Sequence, residues 1–226
     1  HMLRAASPLL RLEAMRLPTF RVGNVSGSVY RLLISGAPFL MTLWLQVGLG
    51  HSAVQAGAYV LAVFVGNVAI KPATTPILRW LGFRTTLIVS AAAGAALIAA
   101  LGLMDASTPP WIIVAVLVAS GVFRSVGFTA YNTVQFVDVD AAERSDANTL
   151  SSTLQQIATA LGIALVALLV RVGQALVPGL GGYRVAFLLA AAVMLSPLVG
   201  ALLLPRGAGS EATQRARLDT KGSPSR

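Results

Sequence analysis

Six apolar stretches, over residues 22–48, 53–70, 86–104, 111–137, 150–172 and 185–204, constrain this chain more than any other feature. A helix crosses the hydrocarbon core of a bilayer with about 20 mostly apolar residues, and each stretch has that length. In lipid a spanning segment must satisfy its own backbone N–H and C=O groups, so each stretch is expected to be a helix. The expected fold is all-α, a polytopic membrane protein with six transmembrane helices. Short links at 50–52, 79–84 and 105–110 make successive spans antiparallel neighbours. Residues 138–148 form the one charged interior loop of any length, and 173–183 read as a Gly-rich loop. Three regions follow: a cytoplasmic amino-terminal segment 1–21, a six-helix transmembrane domain 22–204, and a polar, disordered cytoplasmic tail 205–226.

Composition agrees. The chain is 56% hydrophobic and 11% charged, against about a quarter charged in soluble domains, so a water-facing surface would lack its usual coating. The net charge of +9 is a balance often met in nucleic-acid-binding proteins. Here the basic residues gather at both ends and in one link, with no basic face interleaved with aromatics, so the expected partner is a lipid bilayer and no nucleic acid. There are no cysteines, which excludes disulfides, thiolate metal sites and thiol nucleophiles. His1 and Met2 read as a cloning remnant or as the continuation of an upstream chain. No signal peptide is evident, because 1–21 is broken by Pro8 and Pro18 and carries Arg4, Arg11, Glu13, Arg16 and Arg21.

Lys and Arg in short loops mark the cytoplasmic side. Arg4, Arg11, Arg16, Arg21, Arg79, Arg84, Arg144, Arg206, Arg215, Arg217, Lys221 and Arg226 fall on one side of a six-span chain, and only Arg171 and Arg184 on the other. Both termini are therefore expected in the cytoplasm. Pro38, Pro72, Pro76 and Pro197 fall within or at the ends of spans, where each deletes a backbone hydrogen bond. Such bends suit a bundle that opens and closes, and equally they are tolerated where neighbours satisfy the freed carbonyls. Small residues four apart, Gly23 with Gly27, Ala91 with Ala95 and Ala158 with Gly162, mark close helix packing.

Residues 38–57, PFLMTLWLQVGLGHSAVQAG, resemble the first span and outer turn of the second half of the major facilitator superfamily, more narrowly of its fourteen-span multidrug and proton antiporter branch. Lys71, Pro72 and then 77–84, ILRWLGFR, sit where that family carries a degenerate second copy of its cytoplasmic loop motif, with Lys71, Arg79, Gly82 and Arg84 as the matching positions. The acidic residue of the fuller motif is missing and Arg79 stands in its place, so its gating role is not carried over. Residues 148–165, NTLSSTLQQIATALGIAL, resemble the fifth span of such a half. The resemblance extends to about residue 205. It implies one six-helix half of a larger transporter in the cell (inner) membrane, in which two halves rock about a central site. Its implied partners are an N-terminal half or a second subunit, a small-molecule substrate and protons. The implied function is proton-coupled export of drugs or other small molecules by alternating access, with no cofactor. The alternative is a non-transporting membrane subunit or an inactive truncated fragment.

Polar groups within spans are costly and usually face the bundle interior or water. Arg124, in the middle of the fourth span, is too deep to reach either interface easily. It is the first candidate for the substrate pathway, against a structural hydrogen bond between helices. Arg31, shallower in the first span, either snorkels or points into the cavity, where it could bind an anionic group. Tyr131, Asn132 and Gln135 on the fourth span and Gln155 and Gln156 on the fifth could line an inward-open vestibule or join helices. Asn67, Trp44 and Gln46 are read the same way, and Trp44 also suits an outer aromatic belt. All eight acids, Glu13, Asp105, Asp138, Asp140, Glu143, Asp146, Glu211 and Asp219, lie in loops, ends or tails. A proton carrier is therefore expected on the complementary half. A membrane enzyme is excluded on similar grounds, because the histidines are only His1 and His51 and no buried acid pair, phosphate loop or metal-ligand cluster is present.

Overall fold

A computed structural model describes residues 12–205. The expectations for 1–11, with Arg4 and Arg11, and for the tail from 206 onward lie outside the described residues. A 3-10 turn, Leu12–Arg16, leads into α1 (Pro18–Leu43), which starts four residues earlier than the apolar run. Proline suits a helix's first turn, where its missing N–H has no acceptor and its fixed φ is already helical. The helix runs on as a π-helical stretch, Trp44–Gly48. Then α2 (Ala53–Ala69) opens on a capping box, with Ser52 Oγ accepting from Gln55 N–H and Gln55 Oε1 from Ser52 N–H.

The next link departs from expectation. Residues 79–84 form no open loop; the chain re-enters helix at once as α3 (Lys71–Leu103), broken only at Gly82, whose φ of 74° and ψ of 162° lie outside helical space. Neighbours give the direction after the break. Arg84 Nη2 donates to Leu202 O at 3.0 Å, Gly94 faces Met194 and Gly102 faces Phe187, so residues 83–103 run antiparallel to the last helix. Residues 71–81 therefore finish the second crossing and Gly82 reverses the chain. Among the described residues five helices are long and apolar enough to span by themselves; α2, of 17 residues and about 25 Å at 1.5 Å per residue, completes its crossing with the start of α3.

The remaining helices are α4 (Pro110–Val134), α5 (Arg144–Leu176) and α6 (Leu180–Leu203). The expected Gly-rich loop 173–183 shrinks to 177–179. Gln174 closes it, donating through Nε2 to Gly179 O and accepting from Gly179 N–H through Oε1, both at 2.9 Å. The charged loop is shortened too, because α5 begins at Arg144. At the outer link Asp105 accepts from Ser107 N–H and Oγ and faces Arg184 at 3.7 Å; the Ser107 bonds are the main reason its carboxyl sits below the usual range.

In the bundle α1 packs on α5, α6 and α4, while α3 packs between α4 and α6, and α2 packs on α4. Gly36 meets Gly162 where α1 and α5 lie parallel, close enough that neither could carry a side chain. Ser26 meets Gly200, which brings both ends of the described chain to the same end of the bundle. Trp44, Tyr30, Tyr131, Phe187, Leu40 and Met41 fill the centre. Outward faces of α2 (Val54, Leu61, Phe64, Val68) and α6 (Leu188, Leu195, Val199, Leu202) are apolar and exposed, as lipid contact requires. Trp80 and Trp111 are exposed, as residues of an aromatic belt would be. Trp44 is not in it: it is fully buried, edge-on to Phe187 at 5.5 Å.

Candidate functional site

Along the α1–α4 interface the helices run antiparallel and exchange polar groups. Tyr30 OH donates to Phe123 O at 3.0 Å, and its ring lies 5.2 Å from that of Tyr131. Arg31, 3% exposed, donates from Nη2 to Asn132 Oδ1 and stands 5.6 Å from the Phe128 ring centroid, a cation–π contact. It does not snorkel; Asn132 and Phe128 hold it between the helices. Arg124, 8% exposed, donates from Nη2 to Ile34 O. Ile34 is ten residues along α1 from Asn24, about 15 Å, which places Arg124 deep in the bundle. Among the described residues Nε and Nη1 of both arginines have no hydrogen-bond partner, as is true of the Tyr131 hydroxyl and of Ser125 Oγ beside Arg124. Among the described residues Asp105, Asp138, Asp140 and Glu143 all sit outside the helices and Asp146 sits in the first turn of α5.

Nearer the chain ends a second polar knot joins three helices. Ser151 Oγ on α5 lies 2.7 Å from Asn24 Oδ1 and 2.7 Å from Gln135 Oε1, and it accepts from Gln155 Nε2 at 3.2 Å. One hydroxyl proton serves one acceptor. Asn24 is committed by its own donation to Phe20 O at 2.9 Å, so the knot closes when Gln135 turns its amide nitrogen toward Ser151. The serine then donates to Asn24 and accepts from both glutamines. Below it Thr19 Oγ1 donates to Asp138 Oδ2 at 2.7 Å.

Of the residues singled out in the sequence, Arg31, Arg124, Tyr131, Asn132 and Gln135 thus share one interface, with Tyr131 and Gln135 fully enclosed and Asn132 half-buried. Gln155 is half-buried in the knot, whereas Gln156 is exposed on the far side of α5. Gln156 belongs to a face the sequence reading missed, where Asn148, Thr149, Ser152, Thr153 and Thr159 are also exposed. Their spacing of three and four along a helix was the available signal. Beside this face an open groove of about 660 Å³ is lined by Thr133, Phe136, Val137, Arg144, Ser145 and Asn148. The loop-motif residues lie apart from all of this: Lys71, Arg79 and Gly82 are at least partly exposed, and Arg84 is tied to α6.

Chemically, the arrangement offers positive charge deep between helices and a hydroxyl- and amide-rich face at one end of the bundle. Residues 6–163 match the family model of the Major Facilitator Superfamily. A protein of Pectobacterium carotovorum named "Putative multidrug resistance protein MdtD" is 30% identical over 169 residues, 75% of this chain and 36% of its own length. One of Haemophilus influenzae named "Probable transport protein HsrA" is 31% identical over 70% of this chain and 34% of its own. A Salmonella paratyphi A protein with the first of these names is 27% identical over 75% and 36%. The matched region spans about a third of the length of these relatives.

Proposed function

Because this chain belongs to the major facilitator superfamily, we propose that it is the carboxyl-terminal half of a proton-coupled exporter of drugs or other small molecules, working by alternating access. It sits in the inner membrane with both termini in the cytoplasm. The observation that carries this reading is the six-span bundle matched to about a third of relatives whose names include multidrug resistance and transport. The cation-rich end of the bundle supports the orientation.

In this reading the substrate pathway runs from the groove along the exposed face of α5 toward Arg31 and Arg124, with Asn132, Gln155 and Gln156 beside it and Tyr131 and Gln135 supporting it from behind. The loop-motif residues Lys71, Arg79, Gly82 and Arg84 shape the turn between the second and third crossings. The proton is carried on the complementary half, since the acids among the described residues stand outside the spans or at the first turn of α5. The bilayer, a complementary half and the substrate are the partners, and nucleic acid is not.

The test pairs this chain with the remainder of a relative in cells lacking other exporters and measures proton-driven dye efflux. Efflux by both pieces together and by neither alone supports the proposal. Efflux by the monomeric chain alone defeats it. A stable complex of the two that moves no dye would favour a non-transporting subunit.

A further inference from the structure

A proline inside a helix lacks the N–H that the carbonyl four residues earlier would accept, so each one leaves a C=O in need of a donor. Side chains serve two such carbonyls here, in different ways. Pro197 frees Val193 O, and Ser196 Oγ from the same turn donates to it at 2.8 Å. Pro38 frees Ile34 O in α1, and its donor is Arg124 Nη2 on α4. The first repair is local and moves with its own helix. The second fastens the weak point of one helix to the side chain of another.

We propose that Arg124 is a positioning residue that latches a proline hinge in α1: while it caps Ile34 O it holds residues 38–48 at one angle to α4, and on release that segment swings. The two sides of the hinge are held unequally. On the inner side Tyr30 bonds Phe123 O and Arg31 bonds Asn132, so that part of α1 is pinned to α4 by directional bonds. Beyond Pro38 the helix passes into the π-helical stretch Trp44–Gly48, and Leu40, Met41, Trp44 and Leu45 are held there by apolar packing; among the described residues Trp44 Nε1 has no hydrogen-bond partner, and ring packing on Phe187 holds the indole. Ring packing tolerates sliding better than a hydrogen bond does, because the hydrogen bond weakens steeply with angle. The hinge depends on contacts within this chain and stands whether or not the chain transports.

With no native cysteine, the full chain accepts clean spin labels at Val47→Cys, 68% exposed in the π-helical stretch that follows α1, and Trp111→Cys, 71% exposed at the same end of the bundle in α4. Pulsed electron resonance in lipid nanodiscs should give one narrow distance population. Arg124→Ala should broaden or split it. Pro38→Ala returns an N–H to Ile34 O, so the double variant should narrow it again, and the fall in melting temperature caused by Arg124→Ala should be at least halved when Pro38→Ala is already present. An unchanged distribution in Arg124→Ala, or an equal fall in both backgrounds, overturns the proposal; the equal fall would mean that the arginine is needed for its charge. Should Arg124→Ala alone fail to fold, folding of the double variant supports the latch and failure of both defeats it.

Discussion

Ser151 gives up one proton and receives two, so a single hydroxyl holds α1, α4 and α5 together. Ser151→Ala leaves Asn24 Oδ1 and the amides of Gln135 and Gln155 without that partner, two of the three on fully buried residues. Unsatisfied buried groups cost about 1–3 kcal/mol, so the variant should unfold at measurably lower temperature in detergent, whereas Ser152→Ala, one position round the helix and exposed, should not. Equal effects would mean that the knot contributes nothing. At this scale the sequence gives away the charges and hides their partners. Arg31 and Arg124 stand out because nothing near them is ionic, yet their direction depended on Asn132, Phe128 and Ile34, each at least 90 residues distant in the chain. Tyr30, Asn24 and Ser151 are ordinary residues for a span, and only the antiparallel meeting of α1 with α4 and the parallel meeting with α5 make them polar contacts.

Elements were legible in number and order, because apolar length against bilayer thickness is a strong signal, and they were misread at their ends. Helix ends depend on caps and breaks, which hydropathy does not register. Gly82 shows the difference: residues 71–81 and 83–103 are both helical, and one residue at φ 74° turns the chain. Apart from its own chain neighbours, no atom of the described residues lies within 4 Å of where its Cβ would be, so Gly82→Ala meets no steric neighbour among them and its cost is backbone strain, about 1–3 kcal/mol. Gly57 in α2 has the same open surroundings without a positive φ. Gly57→Ala should be neutral or slightly stabilising, since alanine is the better helix former by up to about 1 kcal/mol. Thermal unfolding of the two variants separates the effects, and a matching loss in both would remove the turn from Gly82's account.

Across the whole molecule the exposed flanks are chemically unlike. Those of α2 and α6 offer valine, leucine and phenylalanine, while one end of α5 offers Asn148, Thr149, Ser152, Thr153, Gln156 and Thr159. Threonines by themselves would be compatible with lipid, because Thr149, Thr153 and Thr159 return their hydroxyls to carbonyls one turn back at 2.8–3.0 Å. Gln156 has no such refuge: a carboxamide is too large to be satisfied by its own turn, and leaving it bare in hydrocarbon costs several kcal/mol by the order of magnitude for unpaired polar groups. That face must therefore meet water or another protein surface, and the groove lined by Thr133, Arg144, Ser145 and Asn148 opens beside it. Depth can be matched for a fair test. Ser151 is level with Asn24 and Gly200 is level with Ser26, so Gln156 on α5 and Val199 on α6 lie at nearly the same depth. In the chain alone, reconstituted in a bilayer, Gln156→Cys should react with a membrane-impermeant maleimide several-fold faster than Val199→Cys. A complementary half should change the rate at Gln156 and leave Val199 as it was. Equally slow labelling at both positions would put α5 in lipid all the way round, and the polar flank would then be no place for a substrate or a second half.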